Sequence, residues 1–325
     1  MLFSRTLIRK LAQLIISLTV VCCVMPSVAI ADKTAEINQE LRWAASIDDA
    51  ETITQLLAAG ASVNAANKFG KTALMNAAEN GNIVATSTLL SMGADVNIKT
   101  VVGCTALTFA AENGEEQITA LLLERGAYLE AHTRSGLNAL MLAAQYDLPE
   151  MVDQLLFKGA DPDAIEKNSL TALMIAANRG HIASARLLLK NGASINLKDK
   201  HGKTALIHAA DFGKDTDMVK LLLKHGANIN AASSDGASPL IWAAGGGHTK
   251  MVKTLIAEGA NINAQDESGL TALMEAVTAN SEATVKLLLA NGASTDVKNK
   301  EGKTAMDIAI KAGNRKINIQ SLLKQ

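Results

Sequence analysis

The chain has 325 residues, of which 48% are hydrophobic and 19% charged, and its formal net charge at pH 7 is -1. That balance supplies no basic field for nucleic acid or anionic lipid, so binding driven by phosphate groups is disfavoured. A chain of this length would ordinarily divide into two domains, unless its core grows by repetition.

The N-terminus reads first as an address. Arg5, Arg9 and Lys10 precede an apolar run from Leu11 to Val24, followed by Pro26 and by Ala29-Ile30-Ala31 ahead of Asp32. A basic region, a short hydrophobic core and a small-x-small site in that order predict a secretory signal over residues 1–31, cut between Ala31 and Asp32. The apolar run is shorter than the roughly 20 residues that span a bilayer, although an uncleaved anchor stays open as an alternative. Neither Cys22 nor Cys23 follows a small residue, which disfavours a lipid-anchored start. Loss of this segment leaves 28 basic and 32 acidic residues, a mildly acidic mature protein. Cys104 is then the only cysteine, so no internal disulfide can form.

Beyond residue 32 the chain repeats. A Gly-Ala pair closes a leucine-rich segment at Gly60, Gly93, Gly126, Gly159, Gly192, Gly226, Gly259 and Gly292, a step of 33 residues with one step of 34. Such a period predicts a stacked array, because each unit alone cannot bury its apolar face. Residues 35–64 keep Leu56-Leu57 and Gly60-Ala61 but lack the later units' opening turn, as expected of a capping unit. Eight repeats follow at about 65–97, 98–130, 131–163, 164–196, 197–230, 231–263, 264–296 and 297–325. The last finishes over Ile308 to Leu323 without a Gly-Ala pair, as a C-terminal cap would.

Each repeat opens on a turn such as Asn67-Lys68-Phe69-Gly70, where glycine can take a positive φ. Ser169 stands in place of that glycine in one unit, so an irregular finger is expected there. Helix starts follow at Thr72, Thr105, Asn138, Thr171, Thr204, Ser238, Thr271 and Thr304. All eight carry a short side-chain oxygen that can accept from an orphan N–H of the first turn. The next residue is alanine seven times and Pro239 once, suited to the first helical position. A short alanine-rich helix such as Ala73 to Ala78 comes next, then a glycine or polar break near Gly81. The second helix carries the apolar stripe, as in Met218 to Leu223, and ends at the Gly-Ala pair with glycine as its left-handed C-terminal residue.

The pattern Gly-x-Thr-Ala-Leu-Met-x-Ala-Ala followed by Leu-Leu-x-x-Gly-Ala-x-x-Asn closely resembles the ankyrin repeat, over roughly residues 65 to 325. The resemblance implies an all-α solenoid of helix-turn-helix units with β-hairpin-like fingers, here an N-terminal cap plus eight repeats over residues 32–325. The family's usual Pro-Leu-His after the threonine is changed: only Pro239 keeps the proline, and the histidine becomes Met75, Thr108, Met141, Met174, Ile207, Ile241, Met274 or Asp307. These changes are expected to weaken individual helix starts slightly.

Groups that could converge for catalysis are not apparent. His132, His181, His201, His208, His225 and His248 are scattered, with no pair at the i, i+4 spacing of a helical zinc motif. His181 and His248 follow glycines where the family often opens its second helix with histidine, a structural reading. The acidic pairs Asp48-Asp49 and Glu115-Glu116 fall in predicted turns or helix starts and read as solvated. Cys104 follows Gly103 in a finger; it reads as a small tolerated residue in preference to an exposed reactive thiol.

Eight aromatics follow the signal, namely Trp43, Phe69, Phe109, Tyr128, Tyr146, Phe157, Phe212 and Trp242. In ankyrin proteins fingers and first helices line the concave side. By register Phe69 lies on a finger, and Phe109, Tyr146, Phe212 and Trp242 lie on first helices; Trp242 precedes the open Gly245-Gly246-Gly247 run. Aromatic anchors are favoured at binding surfaces, and Arg179 between them could engage a carboxylate in two-pronged fashion. Packing of Phe109 and Trp242 between repeats is the alternative. The resemblance thus implies a non-enzymatic, monomeric scaffold that takes a partner protein on its concave face, without cofactor, metal, nucleic acid or stable membrane insertion. The signal implies a periplasmic or secreted location. Some exported ankyrin-like proteins are accessory, inhibitor or immunity partners of a secreted lipase or other toxic hydrolase, which is the alternative role.

Overall fold

The computed structural model describes residues 27–311 and 317–324, and the basic and apolar parts of the expected signal lie outside them. The described residues form eighteen helices and no strand. They come in pairs: α1 (Ser27–Ser46) and α2 (Ala50–Ala58), α3 (Ala73–Glu79) and α4 (Ile83–Ser91), α5 (Ala106–Asn113) and α6 (Glu116–Glu124). Then come α7 (Ala139–Gln145) and α8 (Pro149–Phe157), α9 (Ala172–Arg179) and α10 (Ile182–Lys190), α11 (Ala205–Phe212) and α12 (Thr216–Lys224). The last are α13 (Pro239–Gly245) and α14 (Thr249–Ala257), α15 (Ala272–Thr278) and α16 (Glu282–Ala290), α17 (Ala305–Lys311) and α18 (Ile317–Leu322). Helix α1 runs unbroken through the expected Ala31–Asp32 junction.

Side-chain caps start the first helices. Thr72, Asn138, Thr171, Thr204, Ser238 and Thr271 each accept a hydrogen bond from the backbone N–H three residues on. Thr105 and Thr304 do the same for Thr108 and Asp307. At these two the changed fourth residue does the reverse of the expected weakening. The Thr108 hydroxyl and the Asp307 carboxylate accept in turn from the Thr105 and Thr304 N–H, at 2.8 Å in both cases, completing a reciprocal cap.

The core is one continuous apolar column. Alanines of the first helices and leucines of the second helices are buried along its whole length, for example Ala77, Ala110, Ala143, Ala176, Ala209 and Leu89, Leu122, Leu155, Leu188, Leu222. Neighbouring first helices contact one another more extensively than neighbouring second helices do. Small side chains permit that close approach, so the stack turns toward its first helices and fingers, which form the inner face.

Polar rungs tie one repeat to the next. Asn38, Asn64, Asn97, Asp163, Asn196, Asn230 and Asn263 each accept, at 2.7–3.0 Å, from the backbone N–H of the residue just past the next Gly-Ala pair. Glu130 makes the same rung to Asp161 at 3.3 Å. The Asn38 rung closes the capping unit on itself, and the Asn64 rung to Asp95 joins that unit to the array by the same bond as the repeats.

Two further expectations are corrected. The finger at Ser169 is regular: Ser169 itself adopts φ 61°, and its N–H donates to the Glu166 carbonyl at 2.8 Å, just as Gly70 donates to Asn67. Asp48 is not merely solvated, since its Oδ1 accepts from the Ala85 N–H at 2.7 Å and so holds the start of the neighbouring second helix. Asp49 caps α2 by accepting from the Thr52 N–H at 3.1 Å.

Candidate functional site

The inner face is built from two register columns of the first helices and the fingers beside them. One column holds Asn76, Phe109, Leu142, Ile175, His208, Trp242 and Glu275 on successive first helices; four residues on, the other holds Tyr146, Arg179 and Phe212. Of the sequence-predicted residues, Phe69 lies exposed at a finger tip, Tyr146 is exposed just past the end of α7, and Arg179 is exposed at the end of α9. Phe212 ends α11, and its ring lies against Gly180 of the preceding repeat, where an added Cβ would come within 3.1 Å of it. Phe109 and Trp242 are half-buried and packed on the core, so both also serve the junction between repeats.

Lysine clasps cover those two rings. The Lys203 ammonium lies 3.4 Å from the Trp242 ring centroid and pairs with Asp211 at 2.9 Å, while Lys71 lies 4.7 Å from the Phe109 centroid and pairs with Glu79. In each case a finger lysine reaches an acid on its own first helix and a ring on the next, combining an ion pair with a cation–π contact. The Trp242 indole N–H donates to the Ser233 hydroxyl at 3.2 Å, and that hydroxyl donates to Asp235, holding its carboxyl below the usual carboxylate range.

His208 is buried on α11. Its Nε2 bonds the Asp199 carboxylate at 3.0 Å, and Asp199 also accepts from the His201 and Lys203 backbone N–H groups at 2.8 Å each. Burial holds the His208 imidazole below the ordinary histidine range, against the pull of Asp199. A lowered folded pKa means that the unfolded chain takes up the proton first as pH falls. His208 therefore costs nothing at pH above about 6.5 and destabilises the fold as pH drops below that value. We expect His208→Gln to lose less stability than the wild type between pH 7.5 and pH 5, measured by urea denaturation at each pH. An unchanged difference between the two pH values would contradict this.

Glu275 follows Trp242 in the same column. It is half-buried beside Gly245, and burial, with Asp266 nearby, raises its carboxyl above the usual range. His181 and His248 are structural: their ring N–H groups donate to the carbonyls of Ala144 and Asp211, both at 3.0 Å, across the junction with the preceding repeat. Cys104 is buried in its finger. Among the described residues no group of three His, Cys, Asp or Glu side chains could hold a metal ion, and no helix is long and apolar enough to cross a membrane.

Lys71, Lys203, Asp199, His208 and Glu275 were not legible as site residues from the sequence. The signal was present in their register, because His208 and Glu275 occupy the position of Phe109 and Trp242 in other repeats, and Lys71 and Lys203 share one finger position. A family model described as Ankyrin repeats (3 copies) matches residues 41–133, 140–233 and 230–299, well over half of the chain. No curated protein matches the chain.

Proposed function

The chain belongs to the ankyrin-repeat family, and from that premise we propose that it is a non-enzymatic scaffold that binds a partner protein across its inner face. The observation that carries this reading is the column Tyr146, Arg179, Phe212, which sets two aromatics and an arginine at one position of three successive first helices, next to the Trp242 clasp. Large aromatic and arginine side chains are the anchors from which interfaces draw most of their energy. Stacked repeats also let one partner touch several of them at once. Capture of binding proteins by the immobilised wild-type chain tests the reading, with an Arg179→Ala and Phe212→Ala double variant as comparison. A partner retained by the wild type and lost by the variant is expected; a partner that both retain equally would contradict the inner face as its site.

We also propose that the chain works outside the cytoplasm, in the periplasm or secreted. Support comes from the order of Arg5, Arg9 and Lys10, the Leu11–Val24 run and Ala29-Ile30-Ala31. N-terminal sequencing of the exported protein is expected to read from Asp32. Retention of Met1 on a membrane-bound product would overturn the cleavage site.

A further inference from the structure

The inner face is not clasped along its whole length. The finger position that carries Lys71 and Lys203 is occupied between them by Cys104, Leu137 and Leu170. The helix position that those lysines cover holds Leu142 and Ile175 in the same stretch. Leu142 and Ile175 are buried without a lysine over them, and what shows at the surface beside them is the half-buried Leu137 and Leu170 of the fingers. A cleft of about 490 Å³ opens here, with Val102, Leu137 and Tyr146 among its apolar walls and Thr133, Ser135 and Gln145 among its polar ones. Its volume is that of a site for a few side chains or a small ligand.

The backbone is also different here. Successive fingers are elsewhere joined by an N–H to carbonyl bond, Val101 to Phe69, Lys200 to Asn168, Ser234 to His201, Glu267 to Asp235 and Lys300 to Ser268, at 2.8–3.0 Å. The two corresponding bonds, Arg134 to Val102 and Lys167 to Ser135, are not made. The finger at 133–137, which lines the cleft, is thus joined to neither neighbouring finger by this bond.

Charge selects the occupant. Arg134 lines the cleft, Lys167 and Lys200 follow it at the same position of the next two fingers, and Arg179 stands one repeat on from Tyr146. All four are exposed, and none forms an ion pair among the described residues. The one carboxylate in the lining is Glu112. Lys200 donates to the Asn168 side chain, which leaves Arg134 in the lining and Lys167 one finger on as the cations open to an acid beside the apolar side chains of the cleft. That arrangement is complementary to a segment that presents apolar and acidic side chains together.

We propose that this cleft seats a short segment of a partner protein in which aromatic or aliphatic residues are flanked by Asp or Glu. The proposal rests on the scaffold reading above and adds to it the chemistry of the partner.

The test is selection from a phage-displayed library of random short peptides on the full chain and on an Arg134→Glu, Lys167→Glu variant, both checked by circular dichroism. Both substitutions are at exposed positions, so a folded variant is expected. Peptides selected by the wild type are expected to be enriched in Asp and Glu beside apolar residues relative to the input library. The leading peptide, made synthetically, is expected to bind the variant about tenfold or more weakly. Absence of any selected peptide, selection without acidic enrichment, or equal binding to the variant would overturn the proposal. So would recruitment of the chain to phosphatidylserine vesicles with no acidic peptide selected. Should a captured partner protein still depend on Arg179 and Phe212 while the peptide selection fails, the scaffold reading stands and the cleft assignment falls.

Discussion

Leu222→Ala is expected to destabilise the protein by about 2–5 kcal/mol, the usual cost of truncating a fully buried leucine. Leu222 lies on α12 with none of its surface exposed, in the middle of the continuous core. Its helix contacts α10, α11 and α14 and no more distant element to any extent. In an array whose contacts are between nearest neighbours, such a loss should be felt first in the repeat that suffers it and in those beside it. Amide hydrogen exchange is expected to show protection falling around α11 to α14 while α3 to α6 keep theirs. A uniform fall from α1 to α17 would mean that the stack behaves as one globular unit.

Gly213→Ala is expected to cost about 2–3 kcal/mol, from two sources. The residue has φ 69°, a conformation that costs a side-chain-bearing residue about 1–2 kcal/mol. An added Cβ would also overlap the His248 ring, whose hydrogen bond to the Asp211 carbonyl contributes about 1 kcal/mol. Gly259→Ala is the control: its φ is 91°, but nothing lies within 4 Å of an added Cβ. It should show the backbone cost alone. Equal shifts in denaturation midpoint for the two variants would contradict a role for His248 in joining the repeats.

The position of Gly213 also illustrates what the sequence makes legible. Its counterparts in the other units are Asp48, Gly81, Gly114, Asp147, Gly180, Gly247 and Asn280, and every one has a positive φ. Glycine announces such a turn, and aspartate and asparagine tolerate it, so a glycine or polar break was readable from residue type. Ser169 was not, because serine gives no comparable signal; the Glu166 carboxylate that steadies its finger, by accepting from the Asn168 and Leu170 N–H groups, is visible only in space. The helix caps were legible for the same local reason, since donor and acceptor are three residues apart.

The site was less legible because its bonds join different repeats. Lys71 and Phe109, or Lys203 and Trp242, are more than a full repeat apart in the chain, so no local spacing connects them. The Asn and Asp ladder is similar: the asparagine of the Gly-Ala-x-x-Asn pattern is plain in sequence, but its acceptor role toward the next repeat depends on stacking. Aromatic residues could be assigned to a face by register alone. Whether a ring was covered could not, and the structure finds Trp242 under Lys203 while Tyr146 is open.

A partner protein held on the inner face, as proposed, would lose affinity when the aromatics of that face are truncated. The deciding measurement is partner affinity by calorimetry for the wild type, Phe212→Ala, Trp242→Ala and Lys286→Ala. Lys286 is an exposed residue of α16 on the opposite side, paired with Glu282 at 2.7 Å, and its loss should leave both fold and affinity unchanged. Each aromatic variant is expected to bind at least about 1 kcal/mol more weakly, close to a fivefold rise in Kd, with an unaltered helical circular-dichroism spectrum. Unchanged affinity in both aromatic variants, with the helical spectrum retained, would contradict the inner face as the binding surface.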